Sequence, residues 1–172
     1  MGHHRLAGLP AHRLLPEIVR YLVAGGTPTE DLVDQVNEVG RDALKLALKD
    51  PVFIEALWLL IRMPQAAAAE DVSVAFGEIG LTGTLPKSVS GVLVIYDRAL
   101  ENVQRSLQSG ATDLGEIARR AGLSTLGLAI RDALPTLWTP TAADVLVSVA
   151  TLRGTEQFAA IAHGFYAAFV ER

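Results

Sequence analysis

The sequence predicts an all-α protein: a single-domain helical bundle of about eight or nine helices with no sheet. Apolar residues recur at steps of three and four through nearly every segment long enough to have a period. Strand-like alternation is absent, and capping residues fall at helix-length intervals. A chain of 172 residues suits one domain, and folding at this size buries roughly two-thirds of the surface exposed by the unfolded chain. Residues 1–13 are expected as a flexible N-terminus. Residues 14–172 form the domain, as helical halves 14–80 and 88–172 joined by an irregular loop.

The first helix is expected at 14–24. Thr27-Pro28-Thr29-Glu30 reads as a capping box with proline at the first helical position, opening a second helix at 28–49. That helix carries an apolar stripe of Leu32, Val36, Val39, Ala43 and Leu46, with Glu30, Asp31, Asp34 and Glu38 on a solvated face near its N-terminus, where the helix dipole favours acids. Asp50-Pro51 caps a third helix at 51–62. Phe53, Ile54, Leu57, Trp58, Leu59, Leu60 and Ile61 make it apolar around most of its circumference, the pattern of a buried helix.

A fourth helix is expected at 64–79, ended by the break Gly80 to Lys87. Ser88 caps the fifth, at 88–109, whose stripe is Val89, Leu93, Tyr96, Leu100, Val103 and Leu107. Two shorter helices at 113–121 and 125–135 flank a glycine. Thr139-Pro140 signals an eighth at 140–153, and Gly154-Thr155-Glu156 opens a ninth at 155–171. This last helix has one face of Phe158, Ile161, Phe165 and Phe169 and a smooth second face of Ala160, Gly164 and Ala167.

Composition narrows the function. The chain has no cysteine, which removes disulfides, thiolate metal sites and cysteine nucleophiles and fits a reducing compartment. Cytoplasm is the expected location. A net charge of −4 and a pI near 5.5 disfavour a general nucleic-acid binder, which needs a basic face to displace counterions. The charge-free run from Gln157 to Val170 is shorter than the ~20 residues of a membrane span. Half of the residues are apolar and the mean hydropathy is +0.31, so the surface is expected to be either sparsely charged or partly hidden against a partner.

Residues 113–131 resemble a helix-turn-helix: Ala118, Gly122, Leu123 and Leu128 stand where that motif wants a small residue, a turn glycine and two packing side chains. The resemblance implies DNA contacts from Arg119, Arg120, Thr125 and Arg131. Its second helix, however, offers Leu126, Gly127, Leu128, Ala129 and Ile130 where base-reading side chains belong. The segment Gly80 to Ser88 ends in Lys-Ser at a helix start, yet a phosphate loop requires glycine where Pro86 stands.

Of the four histidines, His163 alone lies inside a well-marked helix, where it is a candidate haem ligand with Trp58, Trp138, Phe165 and Tyr166 as pocket walls. His3, His4 and His12 make a poor metal cage, and no metal site or cofactor is expected. Nothing ties a serine to a histidine, and Glu116 and Asp97 are anonymous acids. A non-enzymatic role is therefore favoured over catalysis.

The leading expectation is a helical adaptor or oligomeric scaffold that meets a protein partner or its own copy through Phe158, Ile161, Phe165 and Phe169. The alternative is a carrier or sensor of an apolar small molecule in an interhelical cavity lined by Trp58, Tyr96, Trp138 and Phe165. A DNA-binding regulator using 113–131 is the third.

Overall fold

The computed structural model describes residues 41–42, 44–107, 110–135 and 139–171. Their regular structure is entirely α-helical, and no strand occurs among the described residues. The expected helix at 14–24, the Thr27–Glu30 capping box, the acidic face from Glu30 to Glu38, most of the 28–49 stripe, Trp138 and the N-terminal histidines lie outside them. Contacts divide the chain into two units, Met1–Lys49 and Asp50–Arg172. In the first, helical backbone at 41–42 and 44–47 ends in a turn, and Lys45 pairs with Asp42 at 3.0 Å.

The second unit holds six helices: α1 Pro51–Ala67, α2 Val72–Glu78, α3 Val89–Ser106, α4 Asp113–Ala133, α5 Ala142–Thr151 and α6 Thr155–Val170. Two of them are central. Helix α1 packs against each of the other five, and α4 packs against α1, α3, α5 and α6. Val52, Phe53, Ala56, Leu59, Leu60 and Met63 of α1 are buried among Val92, Tyr96 and Leu100 of α3, Leu126 and Ile130 of α4, Val149 of α5 and Phe165 of α6. Each such large apolar side chain contributes about 1.5–3 kcal/mol by leaving water.

Most caps fall where the sequence places them. The Asp50 carboxylate accepts from the amides of Val52 and Phe53, with Pro51 at the first helical position where its missing N–H costs nothing. Ser88 accepts from Gly91, and Gly154 opens α6. Helix α2 ends in a Schellman motif. Gly80 adopts φ +78°, Gly80 and Leu81 donate to Gly77 and Phe76, and Leu81 is buried against the helix it closes.

Four boundaries differ from expectation. The fourth helix, expected at 64–79, is only α2, Val72–Glu78, capped by Asp71. Helix α1 does not stop at Arg62 but runs through Pro64 to Ala67. Proline there leaves the Leu60 carbonyl without its usual donor, and burial of Met63, Pro64, Ala66 and Ala67 offsets that loss. The helices expected at 113–121 and 125–135 are one continuous helix of 21 residues. The cap of α5 is not Thr139 but Thr141, which forms a reciprocal capping box with Asp144.

Asp50 also ties two helix starts together. The Thr112 hydroxyl donates to Asp50 Oδ2, while Thr112 Oγ1 accepts from Gly115 and so caps α4. Gly115 permits the approach, since a Cβ there would stand 2.7 Å from Thr112 Oγ1 and 3.0 Å from Val52 Cβ. Asp50→Ala removes the α1 cap and the bond to Thr112, and is expected to lower the unfolding free energy by about 2 kcal/mol. Chemical denaturation checks this; a loss below about 0.5 kcal/mol, the size of an ordinary surface change, contradicts the cap.

Candidate functional site

The helix-turn-helix candidates sit on α4, where no turn separates two helices. Gly122 is helical and is not among the positive-φ glycines Gly80, Gly83 and Gly110. Its role is packing: a Cβ at this position would stand 2.1 Å from Tyr96 Oη. Tyr96 is fully buried and donates to the Ala56 carbonyl at 2.9 Å. Desolvation first, then the charges of Glu55 and Asp97, drives its phenol far above the ordinary range.

The basic side chains of this region are already engaged. Arg119 forms a fork on Asp97 at 2.5 and 2.7 Å and reaches Glu101 and Glu116 at 3.3 Å each. These bonds, the one to Asp97 foremost, raise the guanidinium pKa still further, so Arg119 is a permanent cation that bridges α3 and α4. Arg120 pairs with Glu116 at 2.9 Å. Arg131 turns back to donate to the Gly127 carbonyl, and Thr125 is buried. The four residues do not form a common reading face.

Trp138 lies outside the described residues, and the described aromatic candidates Trp58, Tyr96 and Phe165 line neither the concavity beside Lys87 nor the groove between α4 and α6. Tyr96 and Phe165 are fully buried in packed surroundings. Phe165 lies edge-on to Phe53 at 5.5 Å, with Tyr166 and Phe169 at 5.7 and 6.2 Å. Trp58 is 39% exposed beneath the Arg62 guanidinium, and His163 is exposed on α6. Of the expected α6 contact face, Ile161 and Phe165 belong to the core, Phe169 is half-buried and Phe158 alone is exposed. The face turns inward because Phe53 of α1 meets it, with Phe169 at 5.0 Å.

The loop read against a phosphate motif borders a surface concavity of about 360 Å³ that includes Thr82, Lys87 and Arg98. No group of metal-ligating side chains occurs among the described residues. No described helix is long and apolar enough to cross a membrane.

A groove of about 470 Å³ lies between α4 and α6. Ser124, Thr125, Leu128, Ala129, Asp132 and Ala133 line it from α4, at the steps of three and four that keep residues on one helical face. Gln157, Ala160, Ile161, Gly164 and Ala168 do so from α6, and Thr151 and Leu152 at the end of α5 complete the lining. Small side chains set its shape. Gly164 brings α6 close to α4, its absent Cβ being 3.3 Å from Thr125 Cγ2.

Ser124, Thr125, Asp132, Thr151 and Gln157 are its polar residues, and two of them stand out. Thr125 is only 7% exposed, and its hydroxyl has no hydrogen-bond partner among the described residues. Asp132 is the one charged residue in the lining. Neither was singled out in sequence as part of a pocket, because they belong to it only through the register of α4 against α6. Compared with known proteins, the chain matches no family model, no curated protein and no solved structure.

Proposed function

We propose that the protein is a non-enzymatic helical interaction module that joins to a second copy of itself through the outer face of α1. One observation carries this reading. Ile54, Trp58 and Ile61 are 50%, 39% and 38% exposed at steps of four and three on a helix whose opposite face is the core. Contiguous exposed apolar residues of this kind are characteristic of association surfaces, and tryptophan is enriched at the points that carry binding energy. The absence of cysteine fits a cytoplasmic setting, which we adopt with this reading.

Light scattering over a range of concentrations tests the proposal. The wild-type protein is expected to run as a dimer or larger assembly, and the triple variant Ile54→Ser, Trp58→Ser, Ile61→Ser as a folded monomer. A wild-type protein that stays monomeric at high concentration removes self-association as the function.

A second reading, a carrier or sensor of an apolar small molecule, is favoured by the groove between α4 and α6. Its volume of about 470 Å³ lies within the roughly 300–1,000 Å³ of small-molecule sites. DNA reading is not proposed, because the arginines that would serve it are held by carboxylates and a backbone carbonyl.

A further inference from the structure

Five polar residues line the groove between α4 and α6, and two of them, at separate points, differ from Ser124, Thr151 and Gln157: Thr125 is buried and Asp132 is charged. Its 13 lining residues are about half of the 20–30 per side found in a standard protein interface. The dimensions suit a small molecule better than a partner chain. Leu128, Ala129, Leu152, Ile161 and Gly164 call for an apolar body.

At one point sits Thr125. Nearly all buried hydroxyls find a partner, because leaving one unpaired forfeits its hydration without return. The Thr125 hydroxyl has no such partner in the fold, so a hydrogen-bonding group supplied from the groove would complete it.

At the other point sits Asp132, exposed and without an ion pair among the described residues. It occupies the last turn of α4, where the helix already presents the negative end of its dipole, so the site favours a cation. The neighbouring Arg131 does not neutralise it. That guanidinium is bonded to the Gly127 carbonyl, one turn back along the helix. Asp132 lies seven positions after Thr125, a span of about 10 Å at about 1.5 Å per residue.

We propose that this groove binds a cationic amphiphile: an apolar chain or ring system about 10 Å long with a protonated amine at Asp132 and a hydroxyl or similar group at Thr125. The proposal rests on the carrier reading and gives its ligand a chemical class. The amine forms a charge-assisted hydrogen bond to the Asp132 carboxylate. Thr125 donates to or accepts from the distal group, and the small residues of α6 leave room for the chain between them.

Calorimetric titration with four eight-carbon probes tests it: 8-aminooctan-1-ol, octylamine, octan-1-ol and 8-hydroxyoctanoate. The amino alcohol is expected to bind at least roughly tenfold more tightly than octan-1-ol or 8-hydroxyoctanoate, the factor one charge-assisted bond supplies. Asp132→Asn should bring the amino alcohol to within about twofold of octan-1-ol, as expected when an exposed charge alone is removed. Thr125→Val should erase any advantage of the amino alcohol over octylamine and leave the melting temperature no lower, since the hydroxyl bonds nothing in the fold. Equal binding of cationic and anionic probes, or an Asp132→Asn variant that keeps the preference, overturns the assignment. Failure of every probe to bind overturns it too, while the scattering experiment on α1 decides self-association independently.

Discussion

Phe165→Ala is expected to lower the unfolding free energy by about 3–5 kcal/mol, the range for emptying a packed aromatic site. Phe165 is fully buried, with Phe53, Tyr166 and Phe169 around it at ring separations of 5.5, 5.7 and 6.2 Å. Removing it opens a void where α6 meets α1. Backbone relaxation is restricted there, because at Gly164, one residue away, even an added Cβ would stand 3.3 Å from Thr125 Cγ2 of α4. Trp58→Ala supplies the contrast. Its ring is 39% exposed and holds one cation, Arg62, at 5.7 Å, so its loss should cost only about 1 kcal/mol. Urea denaturation of the two variants checks the pair. Equal losses, or a larger one for Trp58, would mean that α1 presents the opposite face to the core.

Gly122→Ala is expected to destabilise the protein by about 2 kcal/mol, although alanine is the better helix former by about 1 kcal/mol. The added Cβ would stand 2.1 Å from Tyr96 Oη and 2.9 Å from Cζ, so the buried ring must move and give up its bond to the Ala56 carbonyl. The clash is greatest at the hydroxyl, and Tyr96→Phe removes that atom. The alanine should therefore cost less in the phenylalanine background, with a coupling of about 1 kcal/mol in a double-mutant cycle. Denaturation of the four proteins measures it. A Gly122→Ala protein as stable as wild type would place Tyr96 elsewhere.

These two positions also show how far the sequence can be read. Glycine marks a turn when its value is a positive φ and a packed helix when its value is a missing Cβ. Gly122 is the second kind, but the sequence does not contain the ring of Tyr96 above it, and the expected turn was the result. Pro64 lies where the helices expected at 51–62 and 64–79 divide, yet α1 continues through it, and the burial of Met63, Pro64, Ala66 and Ala67 is visible only in the fold. At the start of α5, Thr139 and Thr141 both precede acceptable helix, and the proline drew the cap to the wrong one. Asp50, Ser88 and Gly154 were legible because capping is local chemistry within four residues.

The same division applies to function. An α1 apolar around most of its circumference reads as buried, yet the structure exposes Ile54, Trp58 and Ile61, because neighbours cover the side built on Phe53 and Leu60. Of the aromatic residues that suggest a pocket in sequence, Tyr96 and Phe165 fill the core and Trp58 lies at the surface. The groove itself is bounded by residues such as Ala129, Leu152 and Gly164, whose chemistry carries no signal until three helices set them side by side.

The bond between Thr112 and Asp50 joins residues 62 apart in sequence, each of which caps its own helix. The first turns of α1 and α4 are therefore not independent units of opening. If α4 frays at Thr112, Asp50 loses a partner and holds the amides of Val52 and Phe53 less firmly; fraying of α1 exposes Thr112 in return. Amides at these two distant chain segments are thus expected to exchange through a common opening event.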